Sequence, residues 1–409
     1  MIKNKLMIAA AGSGKTQFIV NRALEILKNN PSSRILITTY TINNREEIRE
    51  RFLMLNNKFI PENVSIQTWF SFLLQHGAKP YKYDVLGQDF DIRGIFFVNE
   101  RSGKKCTKVD PITNKEYPIY WGEKENINKY YFTKDNKIYT DKLSQFVFRC
   151  NEKSNRLLIS RLSEIYTHIF VDEVQDLAGY DLDLLKLLLE SGIKILMVGD
   201  PRQVVYKTHY EAKNKSYKDG KIKEFIEAKC NKKKKEICEI DEKTLNNSHR
   251  NCQEICDFAS SLYRELKKTE PCNDCNPSCH LPNKHSGIFL VKKLDVKNYL
   301  ETQKQVIQLR NNKNVKTEES HPTFNFGESK GKTFDRVLIY PTKPIVKFLK
   351  DWELQKTVQE KGKTEIKNAF SISDFYVALT RARYSVGIVL DYKEEDVFIE
   401  GVQKWKYNP

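Results

Sequence analysis

The sequence predicts an α/β fold with parallel sheets, and three stretches carry that prediction. LMIAAAGSGKTQF, from Leu6, reads as an apolar strand, a glycine-rich turn and a helix running to about Leu27. In HIFVDEVQDLAGYD, His168–Val171 reads as a parallel strand buried on both faces, because it is apolar without alternation. KILMVGDPRQVVY is a further apolar strand, ending at Gly199-Asp200.

The first stretch is also the most chemical. Gly12-Ser13-Gly14-Lys15-Thr16 sits between a strand and a helix, the setting of a phosphate-binding loop. Backbone N–H groups from Ala11 to Gly14, with the helix N-terminus, would cradle phosphates. Lys15 would reach the β- and γ-phosphates of a nucleotide, and Thr16 would ligate Mg²⁺. Ala9 stands where this loop usually has its first glycine, a minor departure at a position that tolerates a small residue. A secretory leader is the competing reading. It is not expected, since Leu6–Ala11 falls short of the roughly 7–15 apolar residues of a leader core.

The second stretch ends in Asp172-Glu173, with Gln175 and Asp176 just beyond. A carboxylate at the C-terminal edge of a parallel strand can hold Mg²⁺, and its neighbour can activate an attacking water. Asp172 is assigned to the metal and Glu173 to the water. Gln203, past the third strand, is placed to hydrogen-bond a γ-phosphate.

Composition bounds the rest. At 409 residues the chain is long enough for two or three domains with their own cores. A net charge of +16 favours a polyanionic partner such as nucleic acid. No uncharged apolar stretch approaches the ~18–20 residues of a membrane helix. Nine cysteines, an odd number with several in core-like segments, point to a reducing compartment, and a cytoplasmic location is expected.

Taken in order, GSGKT, DEVQD and GDPRQVVY resemble the UvrD/Rep group of superfamily 1 helicases. Five further stretches extend the likeness: ILITTYTINNREEIRERF, IQTWFSFLL, LNNSHRNCQEI, ESKGKTFDRVLIYPT and FYVALTRAR. Together they run from Ala9 to Arg383. The resemblance implies two RecA-like domains that clamp ATP between them and step along single-stranded DNA, in the 3′→5′ direction for this group. It implies that Arg250 and Arg381 stabilise charge on the γ-phosphate and help hold the nucleotide. It also implies that Tyr40, Trp69 and Tyr206 contact bases, while groups at Thr39, Thr41, Thr68 and Lys330 hold DNA phosphates.

The expected organisation follows. A first RecA-like domain takes residues 1–78 and 147–238, ending in a basic linker, around a modest insertion at 79–146. A second takes 239–266 and 323–409, around a short Cys/His-containing insertion at 267–322. That insertion holds Cys272, Cys275, Cys279, His280 and His285, which have zinc-ligand chemistry without a standard spacing. Lys207–Lys235 carries 11 lysines in 29 residues, either a phosphate-tracking patch or a solvated linker.

Some positions depart from the family pattern. The chain starts within a few residues of its first strand, so the family's adenine-reading glutamine segment is not expected, and base selectivity should relax. Thr208 and His209 replace an aromatic–arginine pair, and Thr333 replaces a ribose-contacting glutamate. These economies suggest a second reading: a DNA-stimulated ATPase switch beside a nuclease-ATPase partner, resembling the helicase subunit of Gabija-type anti-phage systems.

Overall fold

A computed structural model of the chain describes residues 4–204, 213–231, 236–273, 285–360 and 363–407. Its contacts divide it into two compact units. One comprises Met1–Met7, Lys15–Pro201 and Tyr206–Asp241; the other comprises Ile8–Gly14, Arg202–Val205 and Glu242–Pro409.

The first unit is built on six strands: β1 (Asn4–Ile8), β2 (Ile35–Thr39), β3 (Val64–Thr68), β4 (His168–Asp172), β5 (Lys194–Gly199) and β6 (Cys238–Asp241). Their order is β6-β1-β5-β4-β2-β3. Ile35 pairs with both Val64 and His168, and Asn4 with Cys238, all in parallel register. Every residue of β2 and β4 is buried, as runs without polar alternation require.

Four helices matter to the site. α1 (Lys15–Asn29) buries Ile19, Val20 and Ala23. α2 (Ile42–Leu55) is capped by Thr41, whose Oγ1 accepts the Asn44 N–H at 3.1 Å. α3 (Thr140–Lys153) and α4 (Tyr180–Leu189) flank the stretch leading into and out of β4. A short helix Trp69–Phe72, capped by Thr68, passes into a π-helical turn over Leu73–Ala78. There a Cβ on Gly77 would lie 2.5 Å from Val147 Cγ1, so α3 crosses the turn at a distance only glycine permits.

The stretch expected as the first insertion holds a helix Lys79–Leu86 and two small ladders. Gly94–Phe96 pairs parallel with Lys137–Tyr139, and Lys104–Val109 pairs antiparallel with Glu116–Tyr120.

The second unit is a sheet of β7 (Gly287–Val291), β8 (Val306–Arg310), β9 (Thr323–Asn325), β10 (Phe334–Tyr340), β11 (Ala382–Val389) and β12 (Val402–Lys404). The order is β9-β8-β10-β11-β7-β12, with every neighbouring pair parallel. Helices α5 (Gln253–Ser261), α6 (Lys343–Asp351) and α7 (Ile372–Leu379) cover it through Ile255, Phe258, Phe348 and Phe375. Both units are RecA-like α/β domains. The short insertion expected over 267–322 is smaller than that range, because β7 and β8 lie inside it as members of the sheet. Its Pro- and Cys-rich start masked two strands, GIFLV and VIQLR, that are apolar enough to be buried.

Among the described residues, no helix is long and apolar enough to cross a membrane.

Candidate active site

In the first unit the site grows from the C-terminal ends of β2, β4 and β5 and from the start of α1. Asp172 closes β4 with its carboxyl buried. Thr39 Oγ1, at the end of β2, donates to Asp172 Oδ2 at 3.3 Å, while Asp172 Oδ1 is buried with no hydrogen-bond partner. Burial, and then the neighbouring Glu173 charge, raise the Asp172 pKa, with Lys15 opposing. A buried carboxylate oxygen without a donor is costly unless a cation completes it. Asp172 therefore fits Mg²⁺.

Glu173 adopts a left-handed conformation, φ 53°, which costs a non-glycine residue about 1–3 kcal/mol. A three-part clamp holds its side chain. Gln175 Nε2 donates to Glu173 Oε2, and Gln175 Oε1 accepts the Asp200 N–H at 3.1 Å. Gln175 thereby links the turn after β4 to the turn after β5. Gly199 makes room for it: a Cβ there would collide with Gln175 Oε1 and lie 2.9 Å from Val174 Cγ1. Sequence reasoning noted Gln175 but gave it no role. Its signal was its place inside DEVQD, opposite a strand that ends in Gly-Asp.

The second unit contains the phosphate loop up to Gly14. Gly12 and Gly14 have φ values of 72° and 76°, the left-handed region that suits glycine. Gly12 packs so closely that a Cβ would lie 2.7 Å from both Arg250 Cβ and Ser248 Oγ. Its carbonyl accepts the His249 N–H at 2.8 Å. Ser13 Oγ is buried with no hydrogen-bond partner, an orphan that a phosphate oxygen would satisfy.

Arg381 follows α7 and is almost wholly buried. Its Nη2 donates to Gln203 Oε1 at 3.2 Å, while Nε and Nη1 donate to the carbonyls of Val377 and Lys332. Arg250 Nη1 donates to the Thr380 carbonyl at 3.2 Å, one residue before Arg381. The two expected arginines thus share the end of α7, and one of them grips the expected γ-phosphate sensor. A third arginine, Arg202, was not foreseen. It is buried, donating to the Ala9 carbonyl at 3.1 Å and to Thr269 Oγ1 at 2.9 Å, which anchors the loop backbone. Its signal was a charge inside an otherwise buried GDPRQ turn.

The expected nucleic-acid residues fare differently. Trp69 is 1 % exposed, and its Nε1 donates to Asp181 Oδ1 at 2.7 Å, so it is a core post and not a stacking platform. Thr39 serves Asp172, and Thr41 and Thr68 cap helices, so these hydroxyls are committed locally. Lys330 Nζ donates to the Gln203 carbonyl at 3.0 Å, next to the side chain expected to sense a γ-phosphate. Tyr40 remains half-buried, edge-on to Phe70 with centroids 5.3 Å apart. Tyr206, with Thr208 and His209, lies outside the described residues.

Among the described residues, no cluster of three or more His, Cys, Asp or Glu side chains could hold a metal. Of the expected zinc ligands, Cys275, Cys279 and His280 lie outside the described residues. His285 is built into the core of its unit, stacked on Phe289 at 3.9 Å with Nε2 against the Tyr299 hydroxyl. Cys272 is buried, its N–H donated to the Ser248 carbonyl at 2.8 Å. The zinc reading gains no support from either residue.

A phosphate loop followed by a strand-end Asp-Glu pair defines a nucleotide-binding protein, and comparison with known proteins agrees. The chain belongs to the AAA domain family, whose description matches residues 2–209. Within it the chain is UvrD/Rep-like. It is 26% identical over 298 residues to a probable DNA helicase II homolog of Mycoplasma capricolum, covering 64% of this chain and 39% of that protein. It is 27% identical over 238 residues to the Mycoplasma genitalium homolog, covering 49% and 34%. With the ATP-dependent DNA helicase Rep of Buchnera aphidicola (subsp. Schizaphis graminum) it shares 23% identity over 231 residues, covering 49% and 35%. The chain thus spans well under half the length of these curated relatives. Among solved structures, an Arterivirus nonstructural protein 10 (helicase) in complex with DNA aligns over 95% of this chain and 62% of its own. The TM-score is 0.41 and the identity 14%.

Proposed function

We propose that the protein is an ATP-dependent motor on single-stranded DNA that translocates 3′→5′ and separates strands. The observation that carries the reading is the Arg381–Gln203 pair, 3.2 Å apart, because it joins a buried fixed cation to the side chain suited to sense a γ-phosphate. Lys15 and Thr16 open α1 and would take the β/γ-phosphates and the metal. Asp172 would complete the metal's coordination through its free oxygen, and Glu173, steered by Gln175, would take the proton of the attacking water. Mg²⁺, when bound, neutralises charge on the β- and γ-oxygens. Arg381 and Arg250 would stabilise the transition-state charge, an effect worth roughly 10³–10⁵ in rate for such fingers. Support for DNA as the track is the net charge of +16 and the names of the relatives.

The test is ATPase activity with and without single-stranded DNA, followed by strand displacement from 3′- and 5′-tailed duplexes. Stimulation with displacement of the 3′-tailed substrate is expected. No stimulation by DNA would end the motor reading, and stimulation without displacement would mark a nucleic-acid-gated switch instead.

A further inference from the structure

The first unit has a second concave site at the strand starts of its sheet, the end away from Thr39 and Asp172. A cavity of about 630 Å³ opens between α1 and the strand starts, where Glu239, Lys5, Lys194 and His168 form a row across β6, β1, β5 and β4. Side chains two apart in a strand share a face, so Phe170 and Leu196 continue the His168 and Lys194 positions as an apolar floor. On α1, Phe18, Arg22 and Ile26 follow at intervals of four and form the facing wall. The volume lies in the range of small-molecule sites. The cavity lies at the strand starts, with His168 at the opposite end of β4 from Asp172, about 13 Å away at 3.3 Å per residue, and none of its lining residues is an expected nucleotide ligand.

Its polar groups are specific. Thr167 Oγ1 donates to the Arg34 carbonyl at 3.0 Å and accepts the Arg34 N–H at 2.9 Å. In its contact with His168 Nδ1, at 2.9 Å, Thr167 Oγ1 therefore accepts the ring N–H. Nδ1 carries the hydrogen and Nε2 is left as a lone-pair acceptor. Burial, with the charges of Lys194 and Arg22, holds the His168 pKa down to about 4, which keeps that acceptor neutral. Of the rim charges, Lys5 is paired with Glu239 and Asp241, and Arg22 with Glu25. Lys194 is exposed and makes no ion pair among the described residues, so the rim has one cation to spare.

We propose that this cavity binds a small planar aromatic anion that also carries a hydrogen-bond donor. The ring would lie over Phe170 and Leu196 against Phe18, the anionic group would meet Lys194, and the donor would reach His168 Nε2. The assignment does not depend on the motor reading, because none of these residues belongs to the nucleotide machinery.

A probe with this chemistry is 1-anilinonaphthalene-8-sulfonate, which combines a fused ring, a sulfonate and an amine N–H. Fluorescence titration of the full chain should show one saturable site. Lys194→Glu should weaken binding by about fivefold or more, because a favourable charge contact becomes a repulsive one. His168→Phe, which keeps the ring volume, should weaken it by about threefold or more. Saturating Mg-ADP should leave the affinity unchanged. Lys194 is exposed, so its variant keeps the fold, and near-ultraviolet circular dichroism checks both proteins. The proposal is overturned by the absence of a saturable site, by displacement with ADP, or by wild-type affinity in both variants.

Discussion

The two sheets share an architecture and carry opposite chemistry at their working edges. Hydroxyls and carboxylates end the strands of the first unit: Thr39, Asp172 and, after β5, Asp200. The second unit presents guanidinium groups, Arg250 and Arg381, tied to backbone carbonyls around the end of α7. In the first unit a buried oxygen is left open for a cation; in the second, the buried Arg381 guanidinium already donates to fixed dipoles, and the half-buried Arg250 donates to one carbonyl. One fold therefore serves two roles, because strand-end residues can change without touching the apolar strands behind them. The comparison also separates two kinds of cost. Asp172 carries a desolvation penalty that a metal relieves, whereas Arg381 is paired before any ligand arrives.

The strongest test of that contrast is Arg381→Lys. A lysine keeps the charge but cannot hold Gln203 and two carbonyls at once. Turnover should fall by about 10³-fold or more, with nucleotide affinity, read with a fluorescent analogue, changing far less. A variant within tenfold of wild type would remove the second unit's role. Glu173→Gln should cost roughly 10²–10⁴ in turnover while nucleotide binding persists. Gln175→Ala tests positioning: loss of the clamp should cost up to about 10²-fold, as a small misplacement of a catalytic group does, with KM little changed.

Smaller effects sharpen the nucleic-acid face. Tyr40→Ala should weaken single-stranded DNA binding by about 1–3 kcal/mol in a titration, the worth of one stacked base. Trp69→Phe should leave that affinity alone and lower the urea midpoint, since the Asp181 carboxylate loses a buried donor, at about 1–3 kcal/mol. If Trp69→Phe instead weakens DNA binding, the core assignment fails. A further effect is shared by both units. His168 and His285 are each held by burial at a pKa of about 4. Both rings stay neutral in the fold while the unfolded chain takes up a proton near pH 6.5, so stability is full above that pH and is lost as pH falls toward 4. Replacing either histidine with Phe should make this acid limb shallower in chemical-denaturation series.

The sequence points to phosphate chemistry because that chemistry demands fixed residue types at short spacing. GSGKT and DEVQD are short stretches that carry the expectation in their residue types, although Thr39, Asp200 and Arg250, which pack against them, are remote in the chain. The nucleic-acid residues were less legible. Trp69 follows Thr68 in a motif-like stretch, yet its environment is set by Asp181, 112 residues away. Arg202 was missed for the same reason, since its partners Ala9 and Thr269 are remote in sequence. The strands Gly287–Val291 and Val306–Arg310 were hidden by a conspicuous Cys- and Pro-rich neighbour. Side-chain chemistry drew attention there, while hydrophobic patterning was the better guide to the fold.

Asp181 has a consequence for how the protein is made. Its Oδ1 accepts both the Trp69 indole and the Ser144 hydroxyl, joining three segments of the first unit through one oxygen. During synthesis, Trp69 is added to the chain 112 residues before Asp181, its acceptor. Until then the indole N–H and the Ser144 hydroxyl cannot be buried with this partner. The region from Trp69 to Ser144 therefore reaches its final packing late, once α4 has emerged. A nascent chain arrested short of residue 181 should be cleaved readily by protease within this stretch, and one arrested well beyond it should resist.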